Sequence, residues 1–99
     1  MAGFVQIIEY QTSRFDEVKA LGVERARTDT GSLARRVTAT EDRDRPGTYL
    51  TIVEFDSYDA AMKNSARPET AQFAEQMMKL CDGPPKFYNL DVRDTFETS

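Results

Sequence analysis

A chain of 99 residues, 39% hydrophobic and 30% charged, suits one globular domain with a modest core, and it holds no run near the roughly 18 apolar residues of a spanning helix. The net charge of −4 argues against nucleic acid or an anionic membrane as partner, because either needs a basic face; the densest basic run, Arg35 to Arg45, is interrupted by Glu41, Asp42 and Asp44. With no histidine and only Cys81, the chain cannot form an internal disulfide, a Ser-His-Asp or Cys-His arrangement, or histidine ligation of haem, iron or zinc.

Met1 to Thr12 lacks the basic start and long apolar stretch of a signal peptide, so a cytoplasmic location is expected. Phe4 to Thr12 reads as a strand, with Val5 and Ile7 on one face and Phe4, Ile8 and Tyr10 on the other. Ser13, three residues before Asp16, has capping-box spacing for a helix running to about Thr28. Phe15, Val18, Leu21 and Ala26 approximate its apolar stripe. Leu33 to Thr40 reads as a weakly apolar edge strand blunted by Arg35 and Arg36. Glu41 to Gly47 is a charged hairpin loop ending in the turn signal Pro46-Gly47.

Thr48 to Phe55 is the clearest strand, alternating Tyr49, Thr51, Val53 and Phe55 against Leu50 and Ile52. Asp56 or Ser57 can cap a helix from Tyr58, where Tyr58 itself is expected to pack at the helix start. Pro68 disfavours helical geometry at Arg67, so a break is expected there, with a new helix carrying Phe73, Met77 and Leu80. Gly83 fits a C-terminal cap, and Pro84-Pro85 prevents continuation. Lys86 to Arg93 is the last strand.

The β-α-β-β-α-β order over residues 1–99 predicts one α+β domain of ferredoxin-like type, with a four-stranded antiparallel sheet and both helical segments on one face. The first, third and last strands carry large apolar residues on both faces, which a water-exposed sheet face would not. A second copy of the sheet is the simplest cover, so a homodimer is expected.

At this point the chain resembles the dimeric α/β-barrel superfamily, and within it the antibiotic biosynthesis monooxygenase-like proteins. The resemblance spans nearly the whole chain. Its most telling part is the strand Tyr49 to Phe55, then Asp56-Ser57, then the helical stretch Tyr58 to Met78. Such proteins often carry two histidines after the third strand, the second directly after a proline and four residues before a phenylalanine. Here Pro68, Glu69 and Phe73 occupy that pattern, and Asn64 stands in the first position. The resemblance implies sheets that form a barrel between subunits and a pocket between sheet and helices. It also implies chemistry on aromatic polyketides without metal or flavin in some members, and cyclisation, isomerisation or haem degradation in others. The missing histidines speak against the haem-degrading branch.

Glu69 is the candidate general base if its pocket is apolar, since burial raises a carboxylate pKa; the alternative is a first-turn acid facing solvent. Asn64 can donate to a carbonyl or enolate oxygen, or bond local backbone near a helix end. Tyr49, Tyr10 and Phe73 are the candidate substrate-binding residues, with core packing as the alternative for the tyrosines. Met62, Met77 and Met78 are assigned to core packing, Cys81 to a structural thiol, and no metal site is expected. Two functions follow: a cofactor-independent monooxygenase-like enzyme, cyclase or isomerase acting on a small hydrophobic or aromatic substrate, or a non-catalytic dimer that binds a small ligand or serves as structure.

Overall fold

In the computed structural model, which describes residues 3–98, the chain runs β1 (Phe4–Gln11), α1 (Phe15–Thr28), β2 (Arg36–Glu41), β3 (Thr48–Phe55), α2 (Tyr58–Ser65), α3 (Pro68–Leu80) and β4 (Lys86–Asp91). The strands form one antiparallel sheet in the order β2-β3-β1-β4. The βαββαβ reading holds, with the second helical segment divided at Pro68 as the spacing predicts. Proline lacks the N–H a helix interior needs, and it opens α3 as its first residue.

Register assigns the two faces. Phe4 pairs with Phe55, Gln6 with Val53, Ile8 with Thr51 and Tyr10 with Tyr49, so these eight residues share one side of the sheet. Phe4, Val53 and Phe55 pack there with Ala61 of α2, and Ile8, Ala34, Ala60 and Met62 close around them. This is therefore the helix-facing side, and Phe4, only 2% exposed, is its anchor. Tyr58 meets Phe4 edge-on at 5.4 Å, as expected of a residue at a helix start. Val5, Ile7, Leu50, Ile52, Tyr88 and Leu90 line the opposite side, which no helix of the described residues covers.

Several boundaries differ from the sequence reading. Ser13 does not cap α1: the cap position is Arg14, and Thr12 Oγ1 accepts the Arg14 N–H at 2.9 Å instead. The same Thr12 hydroxyl donates to the Leu80 carbonyl, so it is committed to joining β1 to the end of α3. Ala26 is exposed, and Arg25 occupies the partly buried position on that side of α1. Residues 33–35 stay outside β2, where the Leu33 N–H goes to the Asn64 side chain. Gly83 is not the cap of α3: Cys81 takes that position in an extended conformation, with its N–H to the Met78 carbonyl. Ser57 does cap α2, its hydroxyl accepting the Ala60 N–H at 3.1 Å. Gly47 adopts φ 87°, the left-handed conformation that the Pro46-Gly47 turn required.

Candidate functional site

The break between α2 and α3 places Asn64, Arg67 and Glu69 together at the C-terminal end of α1. Asn64 is 7% exposed on the last turn of α2. Its Oδ1 accepts the Leu33 N–H at 3.0 Å and, at 3.4 Å, a guanidinium hydrogen of Arg67. Both neighbours are donors only, so the atom facing them is the carbonyl oxygen, and the amide orientation is settled by chemistry. Asn64 Nδ2 bonds no partner among the described residues, and since no fully buried side-chain polar atom there lacks one, Nδ2 is not completely enclosed.

Arg67 grips Asp29, just past the end of α1, through both Nη atoms, one of them at 3.0 Å. The Asp29 side chain is 8% exposed and also accepts the Gly31 N–H at 3.2 Å. Arg25 lies 3.4 Å from Asp29, donates to Thr70 Oγ1 at 3.0 Å and covers the Phe73 ring at 4.6 Å. Hydrogen bonds from Arg67 hold the Asp29 carboxyl below the usual carboxylate range, and Asp29 in turn raises Arg67. This network ties the end of α1, the following turn and the start of α3 together around one carboxylate.

A cleft of about 460 Å³ opens beside it, lined by Leu21, Arg25, Arg67, Glu69, Phe73 and Gln76 among others. Helix and turn residues alone wall this cleft; Glu69 and Phe73 border it and Asn64 does not. It therefore differs from the expected pocket between sheet and helices. Glu69 stands at the rim, its side chain 57% exposed and 3.5 Å from Arg67. That is the solvent-facing first-turn placement, with a positive partner that a desolvated base would lack.

The tyrosines lie elsewhere. Tyr49 stacks on Phe15 at 4.4 Å and on Tyr10 at 5.8 Å, at the N-terminal end of α1. Phe15 and Asp29 mark opposite ends of α1, roughly 20 Å apart at the usual rise per residue. Hence Tyr10 and Tyr49 do not join Glu69 around one small ligand. Tyr10 is buried, its oxygen 3.5 Å from Thr51 Oγ1. Burial raises both phenols, and at Tyr49 nearby Glu41 adds to the rise, so each is a neutral hydrogen-bonding group at neutral pH. Burial also raises the Cys81 thiol, in keeping with a structural role.

Two groups went unnoticed in the sequence. Gln6 donates to Asn89 at 3.1 Å across β1 and β4, on the helix-facing side of the sheet. Phe87 shares that side and is 53% exposed, and no residue of α3 is buried. The second group is Arg25, Asp29 and Arg67. The four-residue spacing of Arg25 and Asp29 was readable as a helical ion pair; the pairing of Asp29 with Arg67 was not, since 38 residues separate them.

Neither a known family profile nor a curated protein sequence matches the chain. Solved structures do. SnoaB, a cofactor-independent oxygenase from Streptomyces nogalater, is 16% identical with a TM-score of 0.80, over 99% of this chain and 100% of that one. A monooxygenase of Streptomyces coelicolor, solved with the ligand nanaomycin D, is 20% identical with a TM-score of 0.78, over 99% and 94%. An antibiotic biosynthesis monooxygenase is 16% identical with a TM-score of 0.71, over 92% and 99%. The chain accordingly has the ferredoxin-like α+β protomer fold of the antibiotic biosynthesis monooxygenase structures, which belong to the dimeric α/β-barrel type.

Proposed function

We propose that the protein is a cofactor-independent oxygenase-type enzyme acting on a small aromatic, polyketide-like molecule. The observation that carries this reading is Asn64: a nearly buried carboxamide whose oxygen is held by Leu33 and Arg67 while its N–H₂ has no partner among the described residues. A fixed amide donor in a low-dielectric site stabilises negative charge on a substrate oxygen. Loss of a phenolic proton generates that charge and makes the ring carbon electron-rich toward dioxygen. In the overall reaction, dioxygen delivers one atom as a new carbonyl oxygen. The other leaves as water with the two hydrogens lost from the O–H and C–H bonds. The nanaomycin D bound by the Streptomyces coelicolor monooxygenase supports this substrate class.

In this reading the substrate lies between the helix-facing sheet surface and the helices. Asn64 is the donor assigned to it; Tyr10 and Tyr49, at the opposite end of α1, lie too far away to share the same small ligand. Glu69 and Phe73 border the separate outer cleft, so Glu69 contributes less to proton removal than its sequence position suggests. The test is dioxygen consumption with dihydroxynaphthacenone and dihydroxyanthrone substrates. Wild type turns one of them over, Asn64→Ala loses at least tenfold in kcat/KM, and Glu69→Gln loses less than threefold. No turnover by wild type on either class would defeat the proposal.

A second reading has its own support. Asn64 Oδ1 is spent on joining α2 to the turn before β2, and Glu69 faces solvent, which suits a non-catalytic dimer that binds a small ligand. Anthrone binding without oxygen uptake would select it. Both readings include a homodimer joined through the uncovered sheet face.

A further inference from the structure

We propose that Arg67 is a positioning residue that sets the polarity of Asn64, so that this position accepts only ligands presenting an oxygen acceptor. The inference rests on the functional reading of Asn64 and adds to it the device that orients the amide and the ligand feature it selects.

An asparagine side chain presents a donor or an acceptor according to how its amide is turned, and the two ends are nearly equal in shape. Something must therefore break the symmetry. The Leu33 N–H does so from one side, at 3.0 Å from Oδ1. Arg67 does so from the other, at 3.4 Å. A guanidinium has no acceptor atom, so turning the amide would set Nδ2–H₂ against two donors at once. The cost of that encounter is what keeps the N–H₂ end away from Leu33 and Arg67.

Arg67 can act this way only if it is itself immobile. Its side chain is 18% exposed, and the bidentate grip on Asp29 supplies the fixity. Asp29 is held in turn by the Gly31 N–H and by Arg25. A Cβ added at Gly31 would come 2.8 Å from Arg67 Nη2, so that glycine leaves the guanidinium its place. A ligand oxygen carrying a carbonyl dipole or a negative charge meets the N–H₂ favourably. An ammonium or an amide N–H at that point meets another donor.

The experiment compares wild type with Arg67→Met, Gly31→Ala, Asn64→Ala and the Arg67→Met/Asn64→Ala double variant, each first checked for a native fold by circular dichroism. Gly31→Ala keeps the Arg67 charge and displaces it, so the test survives if Arg67→Met does not fold. The first readout is the pair of Asn64 side-chain amide resonances, assigned by their disappearance in Asn64→Ala. The second is affinity for a dihydroxyanthraquinone, followed by its visible absorption. We expect both resonances to shift and broaden in Arg67→Met and Gly31→Ala, and affinity to fall five- to tenfold. The double variant is expected to bind no more weakly than Asn64→Ala, because the two residues act through one bond. Unchanged amide resonances with unchanged affinity in the folded variants would overturn the positioning role, and so would losses that multiply in the double variant. If Asn64→Ala binds the probe as wild type does, the functional reading itself fails and the selectivity claim falls with it.

Discussion

At the scale of single residues, Asp29 is the most informative group. Its carboxyl is nearly enclosed, lies between Arg25 and Arg67, and is held below the ordinary carboxylate range by the Arg67 hydrogen bonds. A depressed folded-state pKa adds stability that is fully present above the unfolded value, about 4, and is lost as pH falls through the folded value. Wild type should therefore lose stability on acidification below about pH 4. Asp29→Asn should be less stable than wild type at neutral pH and approach it in acid. Urea unfolding at several pH values measures this; parallel curves for the two proteins would contradict it. Phe4 is the other residue on which much depends. It is the most enclosed large side chain, touching Phe55 and Tyr58, and Phe4→Ala should cost about 3–5 kcal/mol by the same measurement at neutral pH.

Between residues and the whole, each element shows how local signals succeed or are overruled. Ser57 caps α2 as its sequence position suggests, and Ser57→Ala should destabilise by about 1 kcal/mol. Ser13 offered the same chemistry at α1 and was bypassed, because Thr12 lies where it can accept from Arg14 while donating to Leu80. Gly47 is different in kind. Its φ of 87° suits a residue without Cβ, and Gly47→Ala should weaken the β2–β3 hairpin by about 1 kcal/mol although open space surrounds the position. Thermal unfolding separates the two predictions from an inert Ser13→Ala control, which should melt as wild type. The broken helix matters most for the site. A continuous helix through Pro68 would present Asn64 and Arg67 along one rod; the break turns Arg67 back onto Asp29 and Asn64.

For the molecule as a whole, the uncovered sheet face is the feature that calls for a partner. Val5, Ile7, Leu50, Ile52, Tyr88 and Leu90 make an apolar field. Charged groups border it: Glu9 with Tyr88 and Arg45, and Glu54 with Arg36. An apolar centre with a polar rim is the anatomy of a protein interface, and a second copy of the same face is the partner we propose for it. Light scattering at micromolar concentration should give the mass of a dimer, and Ile52→Glu should give a monomer or an unfolded chain. A wild-type monomer that stays folded on dilution would count against it. For the single chain, no helix among the described residues is long and apolar enough to cross a membrane.

Much of this architecture was legible from the amino-acid order alone. Strand alternation in Thr48–Phe55, the Pro46-Gly47 turn and the interruption at Pro68 are local constraints, set by side-chain period and backbone geometry, and they determined the βαββαβ order and which residues of a strand share a face, while the face that meets the helices was decided by packing. The site was less legible, because its geometry depends on groups far apart in the chain. Glu69 was a candidate base only if enclosed, and the helix turn that carries it faces solvent beside Arg67. Tyr10 and Tyr49 were aligned with Glu69 by their chemistry, yet α1 separates them by its whole length. Asn64 stood out by its place in the chain, but its orientation required the Leu33 backbone and an arginine locked by Asp29. Sequence period determines which side chains share a face; only the packing of α1, α3 and the intervening turns decides which charges meet and which end of an amide is held.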